Sequence, residues 1–153
     1  MISYIEIIEL FETIQQNSNY LNSFNTGLPW ENTIPDQILY PTLFLERPLS
    51  NIIDITNGAF ETYSISFYVL DRTFEGKEEI NKSLNQSNKF TKLLIQKLIQ
   101  RFNEDDDCDS LSSFDLIKWE DNAPDINHGW RVSFQIKQQF VIDYCLDIED
   151  EDC

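Results

Sequence analysis

The run from Trp130 to Tyr144 constrains this chain most. Trp130, Val132, Phe134, Ile136, Phe140, Ile142 and Tyr144 occupy even positions, while Arg131, Ser133, Gln135, Lys137, Gln139 and Asp143 occupy odd ones. Only Gln138 and Val141 break the alternation. Successive side chains of a strand point to opposite faces, so the pattern predicts a strand with one buried and one wet face. Fully extended, it would span nearly 50 Å at ~3.3 Å per residue, against a usual ~17–20 Å. Either the strand bulges near Gln138, or part of it reaches beyond its own domain.

A second alternating run lies between Glu61 and Asp71. Tyr63, Ile65, Phe67 and Val69 share one face; Ser64, Ser66, Tyr68 and Leu70 share the other. Leu39 to Arg47 reads as its antiparallel partner, with Pro41 near the start, where a missing N–H is tolerated. Residues 48–60 between them, with the turn signal Asn57-Gly58, read as a loop that can project as an arm. Leu111 to Trp119 reads as a further, less regular strand, and Asp121 to Gly129 as a turn region. Two helices complete the set. Ser3 and Glu6 make a capping box ahead of Tyr4, Ile7, Ile8, Phe11 and Ile14, which predicts a helix over 3–17. Ile80, Leu84, Leu94, Ile95, Leu98, Ile99 and Phe102 fall on one stripe of a helix over 78–102. Residues 17–38, rich in Asn, Ser, Thr, Gly and Pro, read as a long connection pinned by Phe24 and Trp30. The expected fold is α+β, in the order helix, two strands, helix, two strands: an antiparallel four-stranded sheet with two helices on one face. One domain over 1–146 is expected, followed by an acidic, flexible tail over 147–153.

Charge narrows the function classes. The 153 residues include 27 acidic and 11 basic ones, a net charge of −16. Wrapping of nucleic acid needs clustered Lys and Arg, and anionic membrane surfaces repel such a chain. Six basic residues, Lys77, Lys82, Lys89, Lys92, Lys97 and Arg101, lie on or beside the second helix. They read as a solvated face balanced by surrounding carboxylates, with contact to nucleic acid or an acidic partner as the competing reading. Cys108, Cys145 and Cys153 are odd in number and widely spaced, which suits a reducing compartment. The N-terminus has no signal-peptide pattern and no stretch has the length of a membrane span, so the chain is expected to be made in a cytoplasm.

Residues that carry chemistry are sparse. His128 is the one histidine. It is either a general base or metal ligand, or a turn residue, and without an evident partner set the turn is the expected reading. Asp105, Asp107 and Asp109 imitate the start of a calcium loop, but Ser110 and Leu116 stand where Gly and a bidentate Glu belong. The cysteines have no zinc spacing, and neither a phosphate-cradling loop nor a nucleophile elbow occurs. The expectation is a protein-binding chain with no catalysis and no cofactor.

Four local patterns bring in a resemblance: Phe24-Asn25-Thr26-Gly27 leading to Tyr40-Pro41 and an apolar strand; Tyr68-Val69-Leu70-Asp71; the helix from Asn81 to Phe102; and Trp119-Glu120-Asp121-Asn122 followed by Gly129-Trp130 and a strand ending near Cys145. In this order they resemble the tail-completion or tail-terminator-like neck proteins of phages infecting Bacteroidetes, including crAss-like phages. The resemblance implies a virion protein of the head–tail connector. It would form a closed ring of identical copies, meet the portal or neighbouring tail rings, and leave a channel through which DNA passes transiently. On that reading Asn51, Ile52, Ile53, Asp54 and Ile55 of the arm, with Trp130, Phe140 and Ile142 of the long strand, are the expected intersubunit contacts. Asp105, Asp106, Asp107 and Asp109 would line the channel, where like charge keeps DNA from adhering. The competing expectation is an acidic inhibitor or immunity-type protein that blocks a basic enzyme.

Overall fold

The computed structural model describes residues 2–27, 38–55, 58–73, 76–104, 110–120 and 127–140. Helix α1 (Tyr4–Gln16) begins where its capping box predicts. The Ser3 hydroxyl accepts from the Glu6 amide, and the Glu6 carboxylate accepts from the Ser3 amide at 2.7 Å. Helix α2 is Lys77–Glu104.

The sheet corrects the expected fold: it has seven strands rather than four, and it is mixed rather than antiparallel. Its strands are β1 (Ser23–Gly27), β2 (Thr42–Glu46), β3 (Leu49–Ile55), β4 (Gly58–Arg72), β5 (Ser110–Leu111), β6 (Asp115–Glu120) and β7 (Asn127–Phe140). They run in the order β1-β2-β4-β7-β5, with β3 also on β4 and β6 also on β7. The added strands are those whose residues carry no alternation. β1, inside the expected connection, is Ser-Phe-Asn-Thr-Gly and pairs parallel to β2. Polar side chains help to hold it, with Ser23 Oγ 2.8 Å and Asn25 Nδ2 3.2 Å from Thr42 Oγ1. β3 occupies the expected loop as the first half of a hairpin with β4, in register from Leu49↔Ser64 to Ile55↔Gly58.

β4 and β7 form the axis of the sheet. Their register runs unbroken from Ala59↔Phe140 to Arg72↔Asn127. The excess length of the last strand is therefore absorbed within the chain as far as Phe140, without a bulge at Gln138. Bulges occur instead in the flanking strands. Between Leu45↔Phe67 and Leu49↔Ser64, three residues of one strand face two of the other, and the same happens between Leu111↔Ile136 and Asp115↔Ser133. The second bulge divides the single strand expected over 111–119 into β5 and β6.

Both helices pack on the sheet face that carries Tyr63, Ile65, Phe67 and Val69. A line of rings ties the layers together. Phe11 of α1 meets Phe67 of β4 at 5.1 Å, Phe67 meets Phe134 of β7 at 6.4 Å, and Phe134 meets Phe102 of α2 at 6.3 Å. Each such ring stabilises the fold by about 1.5–3 kcal/mol through burial. The buried stripe of α2 differs from the expected one. Leu84, Leu94, Leu98 and Phe102 are buried, but Ile99 is exposed, and Ser83, Ser87 and Thr91 are buried instead. Ser87 and Thr91 donate to the Leu84 and Ser87 carbonyls, so these hydroxyls stay satisfied on an apolar face.

Gly129 sets how closely β7 approaches β4. A Cβ built there would lie 1.9 Å from the Val69 carbonyl oxygen, a backbone atom that no rotamer change can move aside. Gly129→Ala is expected to lower stability by about 3 kcal/mol or more, read as a drop in the urea midpoint, whereas Gly76→Ala, with nothing within 4 Å, is expected to be well tolerated.

Candidate interaction surface

The hairpin of β3 with the first half of β4 is an arm continuous with the main sheet. Leu49 is 67% and Ile52 56% exposed, and Asn51 is exposed beside them. The register places Ile52 opposite Glu61, on the same face as Tyr63 and Ile65, which the helices cover. On the arm that face carries Ser50, Glu61 and the exposed Ile52, while Leu49, opposite Ser64, lies on the other face. Ile53, Asp54 and Ile55 pair with Phe60, Ala59 and Gly58.

A polar knot fixes the root of the arm. Gln138, only 2% exposed, uses its side-chain amide as a strand partner for the N-terminus: Oε1 accepts from the Ile2 amide at 2.8 Å, and Nε2 donates to the Ile2 carbonyl at 2.9 Å. Nε2 also donates to Glu61 Oε2 at 2.9 Å, and Ser50 Oγ donates to Glu61 Oε1 at 2.6 Å. Burial alone would raise the Glu61 carboxyl, but hydrogen bonds from Ser50, Gln138 and Tyr63 hold it below its usual value. The same contact works on Tyr63, whose hydroxyl is pushed up to about 12 by burial and then by the Glu61 carboxylate. The break in alternation at Gln138 is therefore a buried satisfied amide, neither a bulge nor a solvent-facing residue.

The other expected contacts are placed as follows. Trp130 is half-buried in β7, and its indole Nε1 donates to the Leu84 carbonyl at 3.0 Å, so it joins the sheet to α2. Phe140 ends β7 opposite Ala59. Ile142, the acidic residues Asp105, Asp106, Asp107 and Asp109, the three cysteines and the tail 147–153 lie outside the described residues.

The far edge of the sheet, β6, presents Ile117 and Trp119 to solvent. Trp119 meets Tyr68 edge-on at 5.2 Å, and Tyr68 donates to Glu46 Oε1 at 2.5 Å. Arg131 Nε stands 3.6 Å from the same carboxylate oxygen. Burial first, then Glu46, pushes the Tyr68 hydroxyl up to about 12.

His128 is not a turn residue. It is a fully buried member of β7, paired with Asp71 across the ladder. Ser83 Oγ lies 2.9 Å from His128 Nε2 and donates to Asp71 Oδ2 at 2.5 Å. The hydroxyl spends its one hydrogen on Asp71, so Nε2–H is the donor to Ser83. The hydroxyl thus sits between acid and imidazole, whereas a nucleophilic relay puts the imidazole in the middle. The arrangement pins α2 to the sheet. Among the described residues no cluster of three or more His, Cys, Asp or Glu could hold a metal ion, and no helix is long and apolar enough to cross a membrane. Sequence reasoning missed Gln138, Ser83 and Glu61; the one signal was a polar residue at a core-facing position of the alternating strand.

No protein-family model matches the chain, and no curated protein matches it.

The raised hydroxyls give a signed pH dependence. A group whose pKa rises on folding contributes stability that is complete below its unfolded value, 10.0 for tyrosine, and is lost as pH climbs through the folded one. Unfolding free energy is expected to start falling above pH 10 and to continue falling toward 12. Tyr63→Phe and Tyr68→Phe should each flatten that fall in urea titrations at pH 9 and pH 11. Gln138→Ala, which strands the buried Ile2 amide, should cost about 1–3 kcal/mol at neutral pH in the same titrations.

Proposed function

We propose that this chain is a structural ring protein of a phage head–tail connector, joining portal to tail around a channel for DNA. The observation that supports it best is the arm, which presents Leu49 and Ile52 on a fully paired hairpin rooted in a buried polar knot. Apolar side chains held out on a rigid element suit a permanent protein contact. A closed ring also needs a heterologous contact between two different surfaces. The arm edge, β3, and the edge strand β6, where Ile117 and Trp119 stand exposed among Asp115, Lys118 and Glu120, lie on opposite sides of the β4–β7 axis. The four local patterns resemble proteins of that role, although the order of elements differs from the expected one, and a net charge of −16 suits a channel wall that DNA must pass without sticking. A lumen position for Asp105, Asp106, Asp107 and Asp109 belongs to this proposal.

Particles purified from cells that make this chain are expected to contain several copies per particle by quantitative mass spectrometry. The protein's absence from particles would overturn the reading and favour the acidic inhibitor. In solution, Leu49→Arg with Ile52→Arg should abolish incorporation and leave the melting temperature within a few degrees, because both side chains are already exposed. Normal incorporation of that variant would remove the arm from the contact.

A further inference from the structure

The exposed side of α2 differs in chemistry from the rest of the chain. From Ile80 to Asn103 there is no Asp or Glu, in a chain with 27 of them. Lys82 is held by Glu79 at 2.9 Å, near the acidic start of the helix. Lys89, Lys92 and Lys97 are exposed and form no ion pair with the described residues. Beside them a groove of about 330 Å³ separates the end of α1 from α2. Ile14, Tyr20, Phe90 and Leu94 line it, Leu93 is 59% exposed at its rim, and Lys97 forms part of its wall. Tyr20 and Phe90 stack at 4.9 Å. This is an apolar slot with one ammonium group, Lys97, in its wall and two more, Lys89 and Lys92, elsewhere on the exposed side of the same helix.

Residues 141–153 have the matching composition. Val141, Ile142, Tyr144, Leu146 and Ile148 alternate with or flank Asp143 and Asp147, and Glu149 to Asp152 are all acidic. We propose that the groove and lysines of α2 receive the C-terminal segment 141–153 of a second copy, with its apolar residues in the slot and its carboxylates on Lys89, Lys92 and Lys97. A second copy suits the geometry better than the same chain. The segment leaves β7 at Phe140, two residues beyond Gln138, which holds the N-terminal end of α1, while the groove lies at the other end of that helix. Running the length of α1, about 20 Å, would use up about six extended residues, Val141 to Leu146, which are most of the apolar ones. A neighbouring copy approaches without that constraint. The proposal deepens the ring reading by naming a copy-to-copy contact, and it is tested on pairwise association, before any ring closes.

Equal amounts of isotopically labelled and unlabelled full-length chain are mixed and treated with a carbodiimide, which joins amines to carboxylates in direct contact. Mass spectrometry is expected to find links between Lys89, Lys92 or Lys97 and the carboxylates of Asp147 to Asp152 that carry one labelled and one unlabelled partner. Links confined to a single isotopic composition would show docking within one chain and overturn the second-copy assignment. Their absence at all three lysines would overturn the site. Leu93→Glu, an exposed change that leaves the lysines available, should reduce the mixed links about tenfold with the melting temperature unchanged. Undiminished links in that variant would remove the groove from the contact. A synthetic peptide of residues 141–153 should compete with the mixed links, and a short DNA duplex of equal charge should not. Equal competition would leave only nonspecific attraction of polyanions and overturn the proposal. The Leu49→Arg, Ile52→Arg chain should keep the mixed links, so failure of the arm and failure of this contact are read separately.

Discussion

The unbroken pairing of β4 with β7 is the constraint on which the rest of the structure hangs. It supplies both faces of the fold at once, because each strand alternates and the two alternate in phase. Tyr63, Ile65, Phe67 and Val69 stand beside Ile136, Phe134, Val132 and Trp130, and both helices pack against this surface. A slip of one residue would turn all of these side chains to the wrong face. The close approach at Gly129 and the Asp71–Ser83–His128 chain hold one end of the ladder, and the Gln138 knot holds the other.

Buried polar groups serve here as positioning devices. Gln138 spends its amide on the Ile2 backbone and on Glu61, and Ser83 bridges Asp71 to His128. An apolar residue at either place would pack, but would not fix where the N-terminus or α2 lies along the sheet. Satisfied buried polar groups specify one arrangement among several that burial alone would permit.

Legibility in the sequence followed the range of the interactions. The capping box of α1 is local, and Ser3 and Glu6 announced it. The faces of β4 and β7 were legible because half-burial imposes a period of two. β1 and β3 were not, since Ser23–Gly27 and Leu49–Ile55 are held largely by backbone pairing, β1 to β2 across a long connection and β3 to the adjacent β4, which leaves little trace in side-chain type. The strand count and the sheet's mixed character were lost for that reason. At the candidate surface, the place of residues 48–60 between two strands was legible, but Leu49–Ile55, expected as loop, is a strand laid on β4. The internal role of Trp130 was not legible, because its acceptor, the Leu84 carbonyl, is 46 positions away.

The two bulges lie at the same height of the sheet. One faces Ile65 and Ser66 of β4, the other faces Phe134 and Gln135 of β7, and Ile65 pairs with Phe134. A bulge bends its strand and sharpens the local twist. Two of them on either side of one rung score a fold line across the sheet. β2 and β6 lie on one side of that line, and β3 and β5 on the other. Only β4 and β7 cross it with an unbroken ladder. A pull on the hairpin would therefore reach the body of the protein chiefly through those two strands, which act as a flexure rather than as a rigid plate.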